Sequence, residues 1–118
     1  MKVEVNGIQL SYEDKGEGLP VLFIHGFPFD HTMWNPQLED LSNEHRVITP
    51  DLRGFGDSDI PNDTSTMNQF AADLIALLDL LKIDQAVICG LSMGGYISLA
   101  IAESFPERML GLVLSNTR

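Results

Sequence analysis

Ser92 stands between glycines in "VICGLSMGGYISLA", residues 87–100, where an apolar run gives way to a helical pattern. Gly90, Ser92 and Gly94 form GxSxG, an arrangement in which a serine hydroxyl serves as a nucleophile. That chemistry requires a sharp turn from strand to helix, which pushes the hydroxyl clear of the backbone. Small residues two before and two after the serine keep the strained turn free of collisions. The same turn puts Met93 at a helix N-terminus, where unpaired N–H groups and the dipole favour negative charge. The Met93 N–H is therefore a candidate donor to a developing oxyanion. Gly94 and Gly95 let the helix approach the sheet closely. The plainer alternative is that Ser92 only caps the helix.

"HGFP", His25 to Pro28, directly follows another apolar run, and a loop in that place can bring a second backbone N–H beside the serine. Phe27 is the expected donor. His25 has two readings. As a base it would have to reach the proton of the nucleophile; a histidine adjoining a strand end more often orders the loop by hydrogen bonding, and that reading is preferred.

These residues need elements to position them. "KVEVNGIQLSYE", Lys2 to Glu13, alternates in two runs split by Asn6-Gly7, which predicts a tight hairpin. The continuous run Val21–Ile24 and the run "RVITP", Arg46–Pro50, read as strands buried on both faces, as in a parallel sheet. A short helix is expected over Met33–Leu41, and "DLRGFGDSDIPND", residues 51–63, is a turn-rich loop. Thr66 with Gln69 forms a capping box ahead of Phe70, Leu74, Leu77, Leu78 and Leu81 at helical spacing. Ala86–Cys89 is the next strand, Gly94–Phe105 a helix closed by Pro106, and Leu110–Asn116 a final strand. The alternation gives an α/β fold with a mainly parallel sheet and flanking helices, in one domain over residues 1–118.

With 44% hydrophobic and 20% charged residues the composition is that of a globular protein. The net charge of −10 comes from 17 acidic against 7 basic residues, a balance that disfavours nucleic acid and membrane surfaces as partners. Cys89 is the only cysteine, which excludes an intrachain disulfide, and no His/Cys spacing suggests a metal. The N-terminus alternates and no segment approaches a membrane-spanning apolar length, so a cytoplasmic location is expected.

Taken together, the hairpin, "HGFP", "PDLRGFGDS", "GLSMGG" and "SFPERMLGLVLSN" resemble the α/β-hydrolase family, in that family's order. The resemblance implies Ser92 as nucleophile and the N–H groups of Phe27 and Met93 as oxyanion hole. It implies that His25, Gly26, Asp51, Arg53 and Asp57 order the loops. Phe29, Trp34 and Met93 become candidates to border an acyl pocket, with buried packing as the alternative for each. No cofactor or metal is implied. "GLSMGG" with "HGFP" looks most like the serine esterases and enol-lactonases. Cofactor-free haloperoxidases, C–C bond hydrolases and proline iminopeptidases share this half of the fold. Epoxide hydrolases and haloalkane dehalogenases carry aspartate where this chain has Ser92. The expected substrate is a small carboxylic ester or lactone.

In this family the triad order is serine, acid, histidine. After Ser92 the only acids are Glu103 and Glu107, and His25, His31 and His45 all precede it. The expectation is an N-terminal portion of the fold, lacking the cap, the last strands and the acid and histidine of the triad, and weakly active or inactive alone. Leu110–Asn116 then forms an open apolar edge, suited to a C-terminal companion fragment or to self-assembly. A catalytically incomplete binding module is the alternative.

Overall fold

The computed structural model describes residues 1–61 and 65–115. Asn62 and Asp63 of the long loop, Asn116 at the end of the final strand, and Arg118 lie outside the described residues. Six strands form one sheet in the order β1-β2-β4-β3-β5-β6: β1 Lys2–Val5, β2 Ile8–Lys15, β3 Pro20–Ile24, β4 Arg46–Pro50, β5 Ala86–Leu91 and β6 Met109–Ser115. The helices are α1 Asn35–Leu41, α2 Met67–Leu80 and α3 Met93–Ser104.

Asn6 (φ 48°) and Gly7 (φ 84°) both adopt left-handed backbone and join β1 to β2, with Val5 opposite Ile8. This is the conformation a two-residue hairpin turn requires. β2 runs antiparallel to β4, whereas β4, β3, β5 and β6 are mutually parallel neighbours. The fold is α/β with a mostly parallel sheet.

The continuous apolar runs are explained by two core layers. Alternate residues of a strand face opposite sides of the sheet. Leu22, Ile24, Ile48 and Ile88 enter the larger layer with Leu74, Leu77 and Leu78 of α2 and Ile97 and Ile101 of α3. Phe23, Val47 and Cys89 point the other way and pack with Trp34 and with Leu38 of α1. Each such buried side chain contributes about 1.5–3 kcal/mol, so the central strands cannot slip by one residue without exchanging the two layers.

α2 starts where the capping box places it: Thr66 Oγ1 accepts from Gln69 N–H (3.1 Å) and Gln69 Oε1 accepts from Thr66 N–H (2.7 Å). It ends at Leu80, followed by Leu81 as cap and Lys82 in left-handed backbone (φ 60°). The helix expected to begin at Met33 is divided. His31–Trp34 forms a 3-10 turn whose Asp30 cap accepts from Thr32 N–H, and α1 proper begins at Asn35 with Pro36 in its first turn. Proline is tolerated there because that N–H has no intrahelical partner. Among the described residues, no helix is long and apolar enough to cross a membrane.

Candidate active site

Ser92 sits at the junction of β5 and α3 with φ 54° and ψ −112°. A non-glycine residue in that region carries about 1–3 kcal/mol of strain and persists only where its surroundings enforce it. The enforcement is visible on both sides. The Ser92 N–H donates to the Ser115 carbonyl (3.0 Å), and the Ser92 carbonyl accepts from the N–H groups of Gly95 (2.9 Å) and Tyr96 (3.3 Å). The side chain makes no capping hydrogen bond and the residue is exposed. Ser92 therefore occupies the cap position without its hydroxyl serving as the cap.

The flanking glycines are required by space. A Cβ on Gly90 would strike the Gly94 carbonyl and the Ser98 hydroxyl, which itself donates to the Gly94 carbonyl (2.7 Å). A Cβ on Gly94 would meet the Ile24 backbone and lie 2.8 Å from the His25 carbonyl oxygen. α3 is thereby seated on the end of β3, with Ile24 in register with Gly90 of β5.

β3 and β5 are neighbours whose following connections lead to opposite sides, to β4 and to β6. Such a point leaves a crevice at the carboxyl ends of the strands. Two loops enter it. Gly26 brings the first loop against the second: a Cβ there would lie 3.3 Å from the Ser92 Cβ and 2.8 Å from the Leu91 carbonyl oxygen. Phe29 N–H donates to the Gly26 carbonyl (2.8 Å), closing a turn around the cis Phe27-Pro28 bond. Phe27 is 67% exposed, and among the described residues its N–H meets no acceptor. Met93 is the first residue of α3, so its N–H is one that the helix itself leaves unpaired.

His25 is fully buried, with Nδ1 3.1 Å from the Gly26 carbonyl oxygen and Nε2 accepting from Leu52 N–H (3.0 Å). Burial pushes its pKa below the ordinary value, against the Gly26 hydrogen bond and the nearby Asp51 and Asp30 charges. Asp51 is also fully buried. Its Oδ1 accepts from the backbone N–H and from Nδ1 of His31, each at 2.7 Å, and its Oδ2 accepts from Asp57 N–H (2.9 Å). The Asp51 carbonyl accepts from the Ser58 hydroxyl (2.7 Å), and Ser58 Oγ in turn accepts from Ser11 N–H in β2 (2.8 Å). Arg53 is paired bidentately with the buried Asp73 of α2, with Nε–Oδ2 at 2.5 Å and Nη2–Oδ1 at 2.9 Å. Among the described residues no histidine ring is hydrogen bonded to Ser92.

Asp30, His31 and Asp51 bring ligand atoms within 4.8 Å of one another. The Asp51 oxygens already accept three N–H donors and Asp30 Oδ1 accepts from Thr32. Most of the acceptor capacity of the Asp51 carboxylate is thus spent on ordering this loop.

Of the two aromatic residues expected near a pocket, Phe29 is half exposed and lines an open cleft of about 440 Å³ with Pro28, Asp30, Thr32 and Met33. Trp34 is buried against Phe23, with ring centroids 4.7 Å apart. Its placement is the packing alternative, because the 3-10 turn directs it under the sheet. The His31–Asp51 pair was not anticipated; nothing in the spacing of the two residues marks the contact, although a buried aspartate always requires donors.

A family model described as the alpha/beta hydrolase fold matches residues 20–118. The chain belongs to the α/β-hydrolase fold family. Among solved α/β-hydrolase structures, a thermophilic esterase from Thermogutta terrifontis is 46% identical with a TM-score of 0.96, and the match covers 100% of this chain and 46% of that one. The enol-lactonase from Burkholderia xenovorans LB400 is 36% identical, with a TM-score of 0.95 over 99% of this chain and 46% of that one. "Epoxide hydrolase 2" of Siraitia grosvenorii is 40% identical over 114 residues, 94% of this chain and 36% of its own length. The chain thus spans less than half the length of these α/β-hydrolases.

Proposed function

We propose that this chain carries the nucleophile portion of a serine hydrolase acting on a carboxylic ester or lactone. The observation that supports the reading is Ser92: exposed, held in strained backbone, uncommitted to capping, and placed against a loop that offers a second free N–H. Ser92 Oγ attacks the carbonyl carbon while its proton passes to a base. The carbonyl oxygen, now negative, takes up the N–H groups of Phe27 and Met93. Collapse breaks the bond to the alkoxide, which receives that proton, and water then releases the acid from the acyl-serine.

The base and its acid are supplied from outside these 118 residues, since both His25 ring nitrogens are engaged with backbone, His31 is bound to Asp51, and His45 precedes β4, at the end of the parallel strands opposite Ser92. The likeness to an esterase and an enol-lactonase supports the ester or lactone class. Epoxide hydrolases are also similar, but the notable difference is the serine itself, which forms an acyl ester with a carbonyl substrate.

The test is intact mass before and after a fluorophosphonate probe, in which Ser92 Oγ bonds to phosphorus and fluoride leaves. A gain of the probe mass that Ser92→Ala abolishes is the expected result. An unlabelled chain, alone and with a C-terminal portion of a relative supplied, overturns the reading.

One observation favours a second reading, assembly through the sheet edge. Leu110, Leu112, Val113 and Leu114 of β6 are each 40–51% exposed, and among the described residues no strand pairs with the outer edge of β6. Unpaired apolar edges recruit further strands. Sedimentation that is independent of concentration, and unchanged in Val113→Lys, overturns self-assembly.

A further inference from the structure

The parallel strands give the molecule two poles. Ser92 lies at the pole where β3, β4 and β5 end, and the loops there carry Asp30, Asp51, Asp57 and Asp59. The partners of these acids are mostly uncharged. Asp30 accepts from the N–H and the hydroxyl of Thr32, and Asp59 Oδ2 accepts from Gln9 N–H (2.8 Å). Asp51 takes two backbone N–H groups beside the His31 ring, and Asp57 is exposed. Neutral donors hold a carboxylate without cancelling its charge.

The cations are placed elsewhere. Among the described residues, Lys15, Arg46, Lys82 and Arg108 stand at the opposite pole, beside the starts of β4, β5 and β6. There Lys15, Arg46 and Arg108 pair with Glu39, Asp14 and Asp79. Lys2 and the N-terminal ammonium belong to the β1 edge, four strand steps of about 4.8 Å from β5. That is beyond the reach of a screened charge in physiological salt. Arg53 shares the pole with Ser92, but it is buried and paired with Asp73. Even a protonated His31 leaves this pole with an excess of negative charge.

The field extends to the loop that meets Ser92. Burial lowers the pKa of His25, the neighbour of Gly26, and the charges of Asp51 and Asp30 oppose that shift. The surface offered at this loop is apolar. Phe27 and Phe29 are both exposed, and Phe27 meets the Phe55 ring edge-on with centroids 6.0 Å apart. Phe29, Pro28 and Met33 line the open cleft together with Asp30.

We propose that the Ser92 crevice selects by charge: it takes an uncharged ester or lactone whose apolar group rests on Phe27 and Phe29, and it repels esters that carry an anionic group. The inference rests on the serine hydrolase reading above and narrows its substrate class. A cleft lined by one sign of charge lowers the local concentration of ligands of that sign. The same charges favour departure of the product, since hydrolysis releases an acid that ionises to a carboxylate.

The test follows labelling of Ser92 in the full chain by two fluorophosphonates of equal alkyl length, one ending in a methyl group and one in a carboxylate. At low salt the anionic probe is expected to react about tenfold more slowly. The gap should close in about 1 M sodium chloride, where the screening length falls to about 3 Å. Asp30→Asn keeps an acceptor for Thr32 N–H and removes one charge beside the cleft. Glu17→Gln removes one charge from an exposed position at the opposite pole. The first should narrow the gap by about twofold, the effect of one charge at roughly 10 Å in water, and the second should leave it unchanged.

Equal rates for the two probes at low salt overturn the inference and leave the hydrolase reading standing. A gap that persists in high salt also overturns it, because shape and not charge would then be the cause. So does a gap that Asp30→Asn leaves unchanged, or that Glu17→Gln narrows as much, because the net charge of the whole chain would then suffice. No labelling by the uncharged probe overturns the hydrolase reading, and the inference with it.

Discussion

Gly26 and Ser92, remote in the chain, stand so close that a Cβ on the first would lie 3.3 Å from the Cβ of the second. The same Cβ would lie 2.8 Å from the Leu91 carbonyl oxygen, and backbone does not yield as a flexible side chain does. Gly26→Ala should therefore cost about 1–3 kcal/mol, the range of overpacking in a close-packed interior. Denaturant titration checks the stability, and fluorophosphonate labelling of Ser92 should slow in parallel as the two loops are pushed apart.

Ser92→Gly should have the opposite effect on stability. Glycine adopts φ 54°, ψ −112° without the clash that a Cβ creates, and the exposed hydroxymethyl forfeits no buried contact. A net gain of about 1 kcal/mol is expected, after the greater freedom of glycine in the unfolded chain is deducted from the relieved strain. Ser92→Ala keeps the strain and should remain within about 0.5 kcal/mol of the parent. A stabilised Ala variant would show that the backbone is not the source.

The Arg53–Asp73 pair ties the loop after β4 to α2, and both side chains are buried. Arg53→Met removes the cation and leaves the Asp73 carboxylate with Asn6 Nδ2 as a remaining neighbour at 2.9 Å. The expected loss is about 3–5 kcal/mol, as for other buried pairs broken on one side. Arg53→Met combined with Asp73→Leu should recover a large part of it, which a double-mutant cycle will read.

Acid should destabilise the fold in two stages. Burial holds the His25 pKa below its ordinary value of 6.5, so the unfolded state takes up that proton first. Its contribution is present above about pH 6.5 and is lost as the pH falls through the lower folded value. Asp30 is held below 3.8 chiefly by the Thr32 hydroxyl, then by the Thr32 N–H, and its contribution is likewise lost at lower pH. Denaturant midpoints measured from about pH 8 to about pH 5 should fall in the unaltered chain and flatten in His25→Asn.

The strands were legible because each central one presents apolar side chains to both layers, as Leu22 and Phe23 do in β3 and Ile88 and Cys89 in β5. α2 was legible at its start because Thr66 and Gln69 are three residues apart and cap one another locally. What could not be read is what distant segments supply. The partners of Asp51 come from the 3-10 turn and from its own loop, and no pattern of spacing encodes such a meeting. The same holds for Arg53 with Asp73, and for Trp34, whose burial depends on where Pro36 allows α1 to begin.

Trp34 is the only tryptophan of the chain, and it lies beneath the sheet against Phe23, Leu38, Val47 and Cys89. Its indole N–H finds no protein acceptor among the described residues, so the ring reports an apolar surrounding unbroken by a hydrogen bond. Intrinsic fluorescence of this protein is consequently a one-sided optical probe. Its emission will shift to the red when the α1 layer admits water, while loosening confined to the α2 and α3 layer will pass without a signal.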